Sequence, residues 1–251
     1  MKKLLYLSLA ACGAPTAEQK EVEETTASVP AATVEPTAEP TPDPVVEFTD
    51  TVLEELVRKA MNNPDGDITI AEAEAVTLLN LEMEGGKPIP RVTDVSDLAQ
   101  FPNLTSLNLN WSMYNNGEPV DISPLAGLTK LEALYICCDN VADISPLKGL
   151  TNLRDLWIWG NGKITDISAL SGMTKMDSLW IKGNQISDIS ALSGMTNLIC
   201  LYMEDNKVAD LSPLAGLGKL TSVMLSGNPA TDYSPLKDVY PNLEEKDFEM
   251  K

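Results

Sequence analysis

From Phe101 onward the chain repeats one arrangement of aliphatic and polar positions. Regular copies read LTKLEALYICCDNVADISPLKG from Leu128, LTNLRDLWIWGNGKITDISALSG from Leu150 and MTKMDSLWIKGNQISDISALSG from Met173. Two more read MTNLICLYMEDNKVADLSPLAG from Met195 and LGKLTSVMLSGNPATDYSPLKD from Leu217. An irregular copy at Phe101 carries extra residues in WSMYNNGEP, a degenerate one passes through Val76, Leu79 and Leu81, and a half-copy, YPNLEEKDFEMK, runs to Lys251. Each regular copy holds a short stretch of strict alternation. In LWIWGN, Leu156 and Ile158 face one side of a strand while Trp157 and Trp159 face the other.

No single copy is long enough to enclose its own leucines. Stacked in register, Leu134/Ile136, Leu156/Ile158, Leu179/Ile181, Leu201/Met203 and Val223/Leu225 make one continuous core. Asn161, Asn184, Asn206 and Asn228 share one repeat position, where an interior amide can satisfy backbone groups of neighbouring turns. Asp139 and Ser112 occupy that position in two other copies, so those turns are expected to be looser or differently bonded. The spacing LxxLxLxxN resembles the leucine-rich repeat in the form found in bacterial internalins, over residues 76–251. The resemblance implies an α/β solenoid or horseshoe, with a parallel concave sheet of about eight short strands and short 3₁₀ or α turns on the convex side.

The triplets beginning at Asp121, Asp143, Asp166 and Asp188 read as bends before those turns rather than as catalytic carboxylates, since a bend must recur in every repeat. Ser123, Ser145, Ser212 and Ser234 each precede Pro-Leu, which predicts a serine cap followed by proline in the first turn. Residues 46–75 predict a helical N-terminal cap. Val52, Leu53, Leu56, Val57, Ala60 and Met61 lie on one helical face, Thr51 with Glu54 and Thr69 with Glu72 have capping-box spacing, and Asn63-Pro64-Asp65-Gly66 ends the first helix. Asp65 and Asp67 lack the further ligands of a calcium loop. At the far end, Glu244, Glu245, Lys246 and Asp247 discourage edge-to-edge pairing.

The N-terminus reads as an address. MKKLLYLSLAAC has a basic start and an eight-residue apolar run, too short to span a bilayer but suited to a secretory signal. LAAC followed by Gly13 resembles the bacterial lipobox, which implies that residues 1–12 are a signal ending in Cys12 and that the Cys12 thiol carries lipid. Residues 13–45, rich in Pro, Thr, Ala and Glu and free of aromatics, cannot bury enough apolar surface to order themselves. They predict an extended tether reaching roughly 100 Å at ~3.1 Å per residue. The expected location is extracellular, lipid-anchored to a bacterial cell membrane.

Reading the outward positions singles out one surface. The central outward residue of successive repeats is Asn108, Tyr135, Trp157, Trp180, Tyr202 and Met224; the flanking one is Asn110, Cys137, Trp159, Lys182, Glu204 and Ser226. Four aromatics on strands ~4.8 Å apart form a ladder of roughly 15 Å. Trp159 widens it, Lys182 and Glu204 edge it with charge, and Trp111 falls at the rim. Aromatic side chains bury ~150–250 Å² each, and the largest apolar patch on a monomer is typically ~300–600 Å², so the ladder is a candidate interface. Only 5% of the chain is aromatic, which makes the clustering pointed.

Charge and composition narrow the partners. A net charge of −19 argues against nucleic acid, whose phosphates need Lys or Arg, and against an anionic membrane face beyond the lipid anchor. The chain has no histidine, which removes the usual general base and the commonest metal ligand. Cys12, Cys137, Cys138 and Cys200 show no paired metal-ligand spacing. Cys137 and Cys138 are adjacent, and Cys200 lies three strands away, beyond disulfide reach. No catalytic residue, metal or cofactor is expected. The expected function is a surface-anchored, monomeric binding module that recognises a protein or peptide through Tyr135, Trp157, Trp159, Trp180, Lys182, Tyr202, Glu204 and Met224. Glycan capture on the same rings and a purely structural spacer are the alternatives.

Overall fold

The alternation that predicts strands is realised in register. A computed structural model describes residues 43–83, 91–113, 117–137 and 140–250. Cys12 and the lipobox, the tether as far as residue 42, Cys138 and Asp139 lie outside the described residues. Among these, eight short strands run parallel in one sheet, in chain order: β1 (Leu78–Asn80), β2 (Ser106–Asn108), β3 (Ala133–Tyr135), β4 (Asp155–Trp157), β5 (Ser178–Trp180), β6 (Cys200–Tyr202), β7 (Ser222–Met224) and β8 (Glu245–Lys246). Leu79, Leu107, Leu134, Leu156, Leu179, Leu201 and Val223 pair as one row without slippage. All seven are buried, as are Ile136, Ile158, Ile181, Met203 and Leu225. One strand per repeat on one side and short 3₁₀ turns on the other make this a leucine-rich-repeat solenoid.

The turns begin at Ser96, Ser123, Ser145, Ser168, Ser190, Ser212 and Ser234. Their serines are not the expected caps. Each turn starts at the serine itself, and the aspartate two residues earlier accepts the serine N–H: Asp121 from Ser123 at 2.8 Å, Asp143 from Ser145 at 2.8 Å, Asp166 from Ser168 at 2.7 Å and Asp188 from Ser190 at 2.8 Å. Asp94, Asp210 and Asp232 do the same for Ser96, Ser212 and Ser234. A carboxylate reaching two residues ahead closes an Asx turn, so the aspartate, not the serine, sets the bend. These N–H donors hold the Asp166, Asp188 and Asp232 carboxyls below their usual range.

The asparagine row works as an internal staple. Asn161 Nδ2 donates to Ile136 O and Ile158 O at 2.9 and 3.0 Å, while its Oδ1 accepts from Val141 N at 3.1 Å. Asn206 bonds Ile181 O, Met203 O and Ile186 N in the same way, and Asn228 bonds Met203 O, Leu225 O and Val208 N. Asn184 keeps its donors on Ile158 O and Ile181 O, but its Oδ1 accepts nothing. The preceding repeat has one residue more, and Gly162 N donates to Gly183 O instead. Ser112 is differently bonded, as expected: its hydroxyl donates to Leu109 O at 2.6 Å.

Two helices stand before the sheet, α1 (Thr51–Met61) and α2 (Ile70–Ala75). Leu53 and Val57 of α1 are fully buried and α1 packs on β1. The expected box at Thr51 and Glu54 does not form. Asp50 is the cap, accepting from Val52 N and Leu53 N, and Glu54 pairs with Arg58 one turn on at 2.8 Å. A carboxylate with a nearer N–H pair wins the cap. The Thr69–Glu72 box does form. Backbone pairing extends to Val45, bridged antiparallel to Thr69.

Candidate functional site

Because side chains alternate, the third residue of each strand faces away from the core. Register therefore sets Asn80, Asn108, Tyr135, Trp157, Trp180, Tyr202 and Met224 in one row. Tyr135 meets Trp157 edge-on, with centroids 5.0 Å apart and planes at 73°. Trp157 stacks on Trp180 at 4.5 Å and 21°, and Trp180 stacks on Tyr202 at 4.2 Å and 26°. Such pairs contribute about 0.5–1.5 kcal/mol each beyond burial. The rings are half-buried rather than fully wet, since each covers its neighbour. The largest exposed aliphatics lie outside the ring row, with Leu78 61% and Ile199 41% exposed.

A second row runs beside the first. Backbone pairing continues past the strands, with Gly160 N on Lys182 O and Gly183 N on Glu204 O, so Trp159, Lys182 and Glu204 stay in step. Lys182 Nζ sits 5.2 Å from the Trp159 ring centroid. Trp111 meets the same ring edge-on at 6.4 Å. Trp111 has φ +60°, a left-handed conformation that bulky residues rarely adopt. The turn that carries it thus brings a sixth aromatic against the platform, where the sequence placed it only at the rim. Cys137 is buried, with Sγ 3.6 Å from Trp157 O. The Cys200 thiol on β6 is half-buried, and burial pushes its pKa up.

The first outward position of each strand supplies polar support. It is mostly small: Ser106, Ala133, Ser178, Cys200 and Ser222. Asp155 breaks that run between Tyr135 and Trp157. Tyr135 donates its hydroxyl to Asp155 Oδ2 at 2.9 Å, and Trp180 Nε1 donates to Ser178 Oγ at 3.2 Å. The Ser178 hydroxyl and the Trp157 indole approach Asp155 closely enough to favour its charged form. Neither closes a full hydrogen bond on Oδ1, which accepts none, and Trp157 Nε1 and Trp159 Nε1 donate none. Burial outweighs these partners and raises the Asp155 carboxyl. Burial also raises Glu204, against the nearby Lys182 charge, and Glu204 Oε2 accepts no hydrogen bond. At the far end Tyr202 donates to Glu245 Oε2. Burial, then the facing carboxylate, push both phenols well above their ordinary value, so both remain donors.

All eight residues singled out from sequence thus share two adjoining rows, and Met224 ends the first. Asp155 and Glu245 were not singled out. The signal for Asp155 was available, as a carboxylate among mostly small residues two positions before a tryptophan. Glu245 ends the same column, but no aromatic stands two positions after it. Among the described residues no group of His, Cys, Asp and Glu could hold a metal ion, and no helix is long and apolar enough to cross a membrane.

Comparisons with known proteins agree with the fold. A family model described as Leucine Rich repeats (2 copies) matches residues 129–172, 151–194 and 174–216. A search of curated proteins finds no match. Among solved structures, internalin C2 of Listeria monocytogenes is 28% identical with a TM-score of 0.61, covering 84% of this chain and 99% of that one. An internalin, InlF, of the same organism is 29% identical with a TM-score of 0.62, covering 84% of this chain and 66% of that one. A leucine-rich-repeat protein of Leptospira interrogans shares the fold at 18% identity and a TM-score of 0.54, covering 72% of this chain and 51% of that one.

Proposed function

Proceeding from an internalin-like leucine-rich-repeat solenoid, we propose that the concave aromatic face is the binding surface of an extracellular recognition module whose ligand is a protein or peptide. Tyr135, Trp157, Trp180, Tyr202 and Met224 form its central row, with Trp159, Lys182 and Glu204 beside them. Cys12, through its lipid, is the anchor, and residues 13–45 hold the domain away from the membrane. The carrying observation is the unbroken run of rings in contact from Tyr135 to Tyr202. The fold tolerates Asn108 and Asn80 at the same position, so aromatic residues there are not a requirement of the repeat.

Ring orientation favours protein over glycan. A sugar stacks on an aromatic face, but the facing sides of Trp157, Trp180 and Tyr202 are occupied by each other. What is offered outward is ring edge, which suits aliphatic and aromatic side chains packing at an interface. The same stacking supports a second reading, that the ladder serves only to stiffen a structural spacer, because cross-strand pairs contribute ~0.2–1 kcal/mol each.

The double variant W157A/W180A separates the two. With the chain immobilised and exposed to the native cell surface, the parent is expected to capture a partner that the variant does not, while the variant still unfolds cooperatively. Retained capture by the variant would sink the reading. Unaltered capture with a stability loss matching the lost stacking would favour the spacer.

A further inference from the structure

Resting on the binding-face reading, the geometry points to the kind of partner: we infer that the concave face takes a basic segment of another protein, arginine-bearing rather than acidic. The outward positions around the ladder carry Glu132, Asp155, Asp177, Glu204 and Glu245 against only Arg154 and Lys182. Arg154 is spent on Asp177, with Nη1 3.1 Å from its Oδ2. Lys182 lies over the Trp159 ring. Asp155 and Glu204 are left without a cation in direct contact, each with one carboxylate oxygen that no donor satisfies. They stand on either side of the ring row, Asp155 in the first outward column and Glu204 in the flanking one.

Carboxylates held half-dry beside apolar rings are costly by themselves and are relieved when an opposite charge arrives. Burial has already raised both above the ordinary carboxyl range. Arginine fits such a surface better than lysine. Its guanidinium is planar, weakly hydrated, packs against aromatic rings and can meet a carboxylate with two parallel donors. Rings with acid on both flanks therefore offer an arginine its apolar and its charged requirement together.

Charge also decides between occupants. The chain's own residues 13–42 hold Glu18, Glu21, Glu23, Glu24, Glu35 and Glu39 against Lys20 alone, so like charge opposes their folding back onto the face. A second copy, at net charge −19, is repelled for the same reason. A basic partner is attracted over a distance set by salt, about 8–10 Å at physiological ionic strength.

The probes are three synthetic octapeptides alternating leucine with arginine, lysine or glutamate. Each is titrated into the full chain, read by tryptophan fluorescence and calorimetry at two salt concentrations. The arginine peptide is expected to bind with Kd below about 1 mM, more tightly than the lysine peptide, and to weaken as salt rises. The variant D155N/E204Q should lose about tenfold in that affinity. The variant D166N/D188N, changed on the convex turns, should lose none. Equal or tighter binding of the glutamate peptide overturns the inference. So does an absence of binding by all three, an arginine affinity unmoved in D155N/E204Q, or one lost in D166N/D188N instead. Failure here together with lost partner capture by W157A/W180A leaves the aromatic face standing and removes only its basic partner. Charge-dependent arginine binding with capture unaffected in W157A/W180A removes the aromatic reading instead.

Discussion

Asp155 shows how one residue can work against the fold that carries it. Its carboxyl is raised chiefly by burial, in spite of the Tyr135 hydroxyl and the approach of Ser178 and Trp157. A group whose folded pKa exceeds its unfolded value of 3.8 is protonated more readily in the folded chain. Stability then falls as pH rises from about 3.8 through the folded pKa, because only the unfolded chain ionises freely. Asn at this position keeps an acceptor for the Tyr135 hydroxyl and removes the charge. Asp155→Asn is therefore expected to melt at or above the parent temperature at pH 7, with the difference shrinking as pH falls through the raised folded pKa toward 3.8. Thermal melts of both chains across pH 3–7 check this, and a variant less stable than the parent at pH 7 would contradict it. The outcome bears on the binding test, since a stable variant that loses arginine affinity has lost recognition and not structure.

The repeat unit is where sequence is most informative, and where its limits can be located. Strand, core row and asparagine position were legible because one residue type recurs at one spacing, and each recurrence repeats the evidence. Register followed, since a slip by one residue would turn every leucine outward. The turn chemistry was half-legible: Asp and Ser were both marked, but which one closes the bend depends on whether Asp Oδ1 reaches the Ser N–H, a matter of backbone angle rather than composition. Ring orientation was not legible, because alternation gives a side and not a tilt. A further pattern acquires meaning only with coordinates. Lys130, Lys175 and Lys219 donate Nζ to Asn103, Asn152 and Asn197 of the preceding repeats, while Asn152 and Asn197 donate back to Thr129 O and Thr174 O, so Asn and Lys alternate along one column and link successive repeats. Within the unit, the asparagine staple should dominate. Asn206→Ala strands Ile186 N, while Ile181 O keeps the amide of Asn184 and Met203 O that of Asn228, and a buried group left unpaired costs about 1–3 kcal/mol. A loss of about 1–3 kcal/mol is expected by urea denaturation. Ser112→Ala removes one hydrogen bond but leaves Leu109 O with the backbone N–H of residue 112, so it should cost less, about 0.5–1.5 kcal/mol. Equal losses would mean that the staple is dispensable.

At the scale of the whole repeat domain, a solenoid must finish both ends of an open sheet. The N-terminal end does so with apolar burial, Leu53 and Val57 of α1 against β1. At the C-terminal end Asp247 accepts from Leu225 N at 2.7 Å and Ser226 N at 2.8 Å, standing in for backbone carbonyls just beyond the two residues of β8. The same half-repeat supplies Glu245 to Tyr202, so the end of the sheet and the last ring of the ladder are held by one two-residue strand. Closure and candidate face are thus coupled. Asp247→Ala leaves two edge donors without their acceptor, a loss of about 1–3 kcal/mol for each that stays buried. Loosening β8 should also release Tyr202 from Glu245, so that its phenol titrates closer to the ordinary value of 10.0. Urea denaturation reads the first effect and ultraviolet absorbance titration the second. If stability falls while the Tyr202 phenol stays high, the closing strand and the binding face are independent. If both move, any partner that seats on Tyr202 also tightens the end of the sheet, and ligand binding should raise the unfolding midpoint by more than contacts on the central strands alone would give.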